Sequence, residues 1–83
     1  MGDRSAPDID QVVTVARLQL GLHDVQHDHH LTEDLGAASV DIVNIVATLE
    51  ETFSIEIDDA DLAALATVGD LHAIVTQKWL KKQ

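Results

Sequence analysis

Two groups of residues in this 83-residue chain have the types and spacing to do chemistry. The first is Ser39, a hydroxyl that follows Gly36-Ala37-Ala38 and opens an apolar-periodic stretch, so that it stands where a helix begins. A phosphodiester on a side chain at that position faces unpaired backbone N–H groups and the positive end of the helix dipole. The second group is His23, His27, His29 and His30 with Asp24 and Asp28, imidazoles and carboxylates of the kind that hold zinc or nickel. A His-x-x-x-His pair reaches one metal only from a helix, and no helical period runs through this segment. A solvated polar loop is the plainer reading. Protonating all five histidines, His72 included, would take the formal charge from −10 toward −5.

Ser39 with a loop histidine and Asp41 supplies the residue types of a hydrolytic triad. The sequence around it is not the Gly-x-Ser-x-Gly elbow that such a nucleophile needs between a strand and a helix, and a non-catalytic protein is expected. The chain has no cysteine, so any sulfur chemistry must come from a cofactor. Fifteen acidic residues against five basic ones repel phosphate backbones and anionic lipid. With Phe53 and Trp79 as the only aromatics there is no platform for stacking bases, so nucleic acid is not expected as a partner. No apolar run approaches the roughly 20 residues of a membrane span, and Met1-Gly2-Asp3-Arg4-Ser5 has no signal-peptide pattern. A cytoplasmic monomer is expected, with basic protein surfaces as partners.

The elements that position Ser39 follow from periodicity. Residues 1–7 are polar and expected to fray, with Pro7 in the first turn of a helix that Ser5 or Ala6 precedes. Ile9, Val12, Val13, Ala16 and Leu20 mark one face of that helix, and Gly21 stands just past its end. Residues 21–38 read as a long loop pinned by Leu31 and Leu35. Helix two is expected from Ser39 to Phe53, on the stripe Ile42, Val46, Leu49 and Phe53 flanked by Val43 and Ile45. Its other side collects Val40, Asp41, Asn44, Ala47, Thr48 and Glu51, and should face outward. Ser54–Asp58 alternates polar and apolar but has no partner strand, so it reads as extended loop. Asp58 or Asp59 can cap a short helix three through Leu62, Ala63 and Leu65. Thr67-Val68-Gly69-Asp70 reads as a capping box opening helix four through Leu71, Ile74, Val75 and Trp79, with Lys78, Lys81 and Lys82 at its end. The expected fold is an all-α four-helix bundle in one domain over residues 1–83.

Glu33-Asp34-Leu35-Gly36-Ala37-Ala38-Ser39-Val40-Asp41 resembles the attachment motif of the acyl carrier protein family, which reads as an acidic pair, Leu-Gly, two further residues, then Asp-Ser-Leu. The resemblance continues at the same spacings through Leu49-Glu50-Glu51-Thr52-Phe53, Ile55-Glu56-Ile57-Asp58-Asp59 and Thr67-Val68-Gly69-Asp70-Leu71. It covers nearly all of the chain after about residue 8.

The resemblance implies that Ser39 receives 4'-phosphopantetheine from coenzyme A through a phosphopantetheinyl transferase. The arm's thiol then carries acyl groups as thioesters for partner enzymes of fatty acid, polyketide or related lipid synthesis. It implies a docking face of Val40, Asp41, Asn44, Ala47, Glu50 and Glu51 for basic patches on those enzymes. It also implies an acyl pocket between helices two and three, walled by Leu31, Val43, Val46, Leu62, Leu65 and Val68. The chain departs from the family at Ala38, which stands where the family has the aspartate associated with the transferase and its magnesium ion, while Val40 replaces the usual leucine conservatively and Asn44 lies where the family often has glutamate. The lost carboxylate predicts slower loading by a broad-specificity transferase. The readings that compete are an unloaded helical adaptor and a His/Asp metal-binding protein.

Overall fold

The computed structural model describes residues 6–82. Four helices follow in chain order: α1 (Ile9–Leu20), α2 (Ser39–Phe53), the short α3 (Asp59–Ala63) and α4 (Val68–Lys81). α1 packs against α2 and α4, and α2 against α4. Among the described residues there are no strands, only an isolated antiparallel bridge between His30 and Thr67. The all-α bundle expected from the sequence is the observed fold.

α1, α3 and α4 start where side chains can pair the N–H groups that a first turn leaves open. Asp8 caps α1 in a reciprocal box with Gln11, so this helix begins two residues later than the proline suggested. Pro7 lies before the cap, is buried, and its carbonyl oxygen sits 2.9 Å from Nε2 of His72 on α4. Met1–Ser5, where the frayed end was expected, lie outside the described residues, as does Gln83. Asp58 caps α3 and Thr67 caps α4, the latter with Asp70 Oδ2 accepting from the N–H groups of both Ala66 and Thr67. Gly21 ends α1 with φ +67°, a left-handed conformation that only glycine adopts without cost.

Val12 and Ala16 of α1, Ile45, Val46 and Leu49 of α2, and Val68, Leu71 and Val75 of α4 meet in one core. Leu31 of the long loop and Ile55 and Ile57 of the second loop join it. The first loop has no regular structure, yet it is tied to the start of α4. The N–H of Leu31 donates to Ala66 (2.9 Å), that of Val68 to His29 (3.1 Å) and that of Gly69 to His27 (2.7 Å). A Cβ on Gly69 would lie 3.1 Å from the His27 carbonyl oxygen, a tight contact that glycine avoids where the two backbones approach. These bonds position the residues that lead into Ser39.

Candidate functional site at the start of helix two

Gly36 turns the chain into α2 with φ +68°, and the N–H of Ala37 closes the turn onto the Leu31 carbonyl (2.9 Å). Ala38 then occupies the N-cap in extended conformation, and Ser39 is the first helical residue, exposed to solvent. Ser39 is therefore not a capping serine, and the helix lacks a side-chain cap because alanine has no acceptor. Half of a capping box survives: Asp41 Oδ2 accepts from the Ala38 N–H at 2.9 Å. Among the described residues the N–H groups of Ser39, Val40 and Asp41 have no hydrogen-bond partner. Three open donors and the positive end of a fifteen-residue helix beside an exposed hydroxyl fit a phosphodiester on Ser39.

One turn along α2 from Ser39, a cavity of about 200 Å³ opens between the long loop and the segment after α3. Leu31, Ile42, Leu65 and Ala66 form its apolar lining, and His30, Thr32 and Glu33 form the polar part. A larger open cleft of about 860 Å³ lies at the far end of α2, among Glu50, Ile55, Ile57, Lys78 and Lys82, and Ser39 takes no part in it.

The model of the family described as the phosphopantetheine attachment site matches residues 10–75. An acyl carrier protein of Sulfurovum sp. is 48% identical over 63 residues, which cover 76% of this chain and 83% of that protein. Another from Wolinella succinogenes is 45% identical over 64 residues, covering 77% and 83%. The crystal structure of the acyl carrier protein of Thermotoga maritima superposes with a TM-score of 0.77 at 28% identity, over 90% of this chain and 89% of that one. The solution structure of a holo acyl carrier protein from Geobacter metallireducens gives 0.78 at 22% identity, over 92% and 90%, a likeness of fold. This chain belongs to the acyl carrier protein family. Its role is that of a carrier, with covalently bound 4'-phosphopantetheine as the cofactor.

Within this carrier fold the residues singled out from the sequence separate into distinct environments. Val40, Asn44, Ala47 and Glu51 stand exposed on one face of α2. Asp41 and Glu50 are only half exposed, and each has its carboxylate engaged inside the protein. Asp41 holds Ala38 as described, and Glu50 Oε2 accepts from the N–H of Ile57 at 2.8 Å, fixing the second loop. Leu31, Val46 and Val68 are buried, and Leu62 and Leu65 are half-buried against the core.

Val43 is 55% exposed and faces away from the cavity that its expected role requires. Ile42 takes that place. Successive helical residues differ by about 100°, which carries Val43 beyond the edge of the buried stripe toward Val40. Ile42 belongs to the apolar stripe of α2 in the sequence, and its spacing of three from Ser39 is the signal that points to the cavity.

The histidines have separate partners. His29 Nδ1 accepts from the N–H of Gln26 (3.0 Å), and His30 Nδ1 lies 3.4 Å from Asp34 Oδ2. Asp34 also accepts from the backbone N–H of His30 at 2.7 Å, and this bond above all holds its carboxyl below the usual carboxylate range. No three His, Asp or Glu side chains converge among the described residues, so the metal-binding alternative finds no cluster there. No helix in the described residues is long and apolar enough to cross a membrane.

Proposed function

We propose that Ser39 is the sole attachment point for 4'-phosphopantetheine, and that this protein presents acyl intermediates of fatty acid, polyketide or related lipid synthesis to separate enzymes. It performs no catalysis of its own. The arm supplies the thiol that the cysteine-free chain lacks. The observation that carries the reading is the exposure of the Ser39 side chain on the first helical residue, beside the open N–H groups of Ser39, Val40 and Asp41.

Ser39 holds the phosphate, and the first turn of α2 stabilises its charge. Gly36 sets the direction from which the chain enters the helix. Leu31, Ile42, Val46, Leu62, Leu65 and Val68 shelter the apolar part of the cargo. The partners are a phosphopantetheinyl transferase and acyl-transferring enzymes that approach the exposed face of α2. The protein works as a monomer in the cytoplasm. Intact mass tests the carrier reading: incubation with coenzyme A, magnesium and a broad-specificity transferase should add one phosphopantetheine per chain. A chain that gains nothing under conditions that load a known carrier is an adaptor instead.

A further inference from the structure

The cavity one turn along α2 from Ser39 has two kinds of lining that are not mixed. Leu31 is buried and Ile42 and Leu65 are half-buried, so they form its floor, while His30, Thr32 and Glu33 are exposed and form its rim. The core that Leu31 joins includes Ile45, Leu49 and Val68 with no exposure at all, and so close-packed an interior leaves an entering chain no further room. The volume of about 200 Å³ is under the roughly 300–1,000 Å³ of a site for a drug-sized ligand. At the about 30 Å³ that one water takes in the liquid, it holds about six or seven heavy atoms. The rim carries groups that the protein itself does not use. The Thr32 hydroxyl and the Glu33 carboxylate make no hydrogen bond or ion pair among the described residues. His30 turns Nδ1 toward Asp34 Oδ2 at 3.4 Å, which leaves Nε2 as its open nitrogen.

Resting on the carrier reading above, we infer that this cavity selects a short neutral acyl group with a hydroxyl on its third carbon, a 3-hydroxyacyl chain of about four to six carbons, and that Thr32 is the residue that recognises the hydroxyl. An arm on exposed Ser39 reaches the cavity over its rim, so the carbons next to the thioester pass Thr32 and His30 while the tail reaches Leu31, Ile42 and Leu65. A hydroxyl on the third carbon meets there a side chain that both donates and accepts, whereas a plain alkyl chain gains nothing from it. Glu33 adds a negative charge to the rim, which disfavours a cargo that ends in a carboxylate. A chain of ten carbons exceeds the volume and has to displace packed side chains.

The test loads the full chain from butanoyl-, 3-hydroxybutanoyl-, succinyl- and decanoyl-coenzyme A with a broad-specificity transferase and follows thioester hydrolysis at mildly alkaline pH by intact mass. Each rate is divided by that of the same acyl-coenzyme A, so that the ratio reports protection by the protein alone. Protection of 3-hydroxybutanoyl should exceed that of butanoyl about fivefold, as one added hydrogen bond gives. Succinyl and decanoyl should be protected no better than butanoyl. Thr32→Val should remove the fivefold advantage and leave butanoyl within about twofold. The Thr32 side chain is exposed, and circular dichroism checks that the variant is folded. Equal protection of butanoyl and 3-hydroxybutanoyl overturns the proposal, as does an advantage that survives Thr32→Val. Strongest protection of decanoyl or of succinyl overturns it too. Should the chain gain no mass from any of the four, the carrier reading itself fails and takes the proposal with it, a result distinct from any ordering among the cargoes.

Discussion

Nζ of Lys78 lies 2.8 Å from Oδ2 of Asp61, and this contact ties the end of α4 to the short helix α3, which buries no side chain. Lys78 also lies 3.9 Å from Asp58, the residue that caps the same helix. Leu62 and Leu65 are half-buried against the core, the ion pair adds a polar tie to α3, and Leu65 walls the cavity one turn along α2 from Ser39. The hydrogen bond that Lys78 donates to Asp61 holds the Asp61 carboxyl below the usual range and raises the Lys78 ammonium. A lowered carboxyl contributes stability above its unfolded pKa and loses it as pH falls through the folded value. A raised ammonium contributes below its unfolded pKa and loses it as pH rises through the folded one. The stability difference between the unsubstituted protein and Lys78→Gln should therefore be level from about pH 6 to 9 and shrink below about pH 4 and above about pH 10.5. Thermal unfolding across that range measures it. A difference that persists unchanged at about pH 2 would show that the pair contributes nothing electrostatic.

Ala38 leaves α2 without a side-chain cap, in a position of extended backbone where aspartate is among the best residues. Ala38→Asp should complete a capping box with Asp41 and stabilise the fold by about 1 kcal/mol. For a domain of this size that is a rise of roughly 4–8 °C in Tm. The same substitution should speed phosphopantetheine loading, because it supplies a hard oxygen ligand beside Ser39. Stabilisation without faster loading would mean that residue 38 serves the helix alone. An unchanged Tm and an unchanged rate would contradict both roles.

An acyl cargo should enter the cavity between Ile42 and Leu65. Each buried methylene is worth about 0.8 kcal/mol, but a packed core must yield to admit a chain, and α3 is the element with least holding it. Acylated protein should melt higher than the pantetheinylated form. Its backbone amide shifts should change more at Ile42, Val46, Leu62 and Leu65 than at Val12, which is fully buried on the far helix. Identical melting temperatures and shifts for the two forms would place the chain in solvent.

Periodicity is enough to find α2 from Ser39 to about Phe53 and the capping box of Thr67 and Asp70, because those signals are local. The blocks around Ser39 and Phe53 carried the family for the same reason. The long-range contacts were not legible. Nothing in the sequence of the Lys78, Lys81 and Lys82 cluster says that Lys82 reaches back to the carbonyls of Phe53 and Ser54, at 3.2 and 2.8 Å, where it neutralises the C-terminal end of α2. The helical wheel puts Glu50 close to the buried side of α2, but only the fold brings the Ile57 N–H to it. Val43 was misplaced because a wheel drawn at 100° per residue does not say how wide the buried stripe is; the packing of α1 and α4 on α2 decides that.

The most direct measurement of the central claim is the position of the phosphopantetheine on the loaded protein, read by fragment mass spectrometry of the intact chain. The chain has three serines, Ser5, Ser39 and Ser54, so the modification has real alternatives. The added mass should lie on Ser39 alone, and Ser39→Ala should remain unmodified while keeping its fold, since Ser39 makes no cap. Phosphopantetheine on Ser5 or Ser54, or an adduct that persists on the alanine variant, would contradict the account.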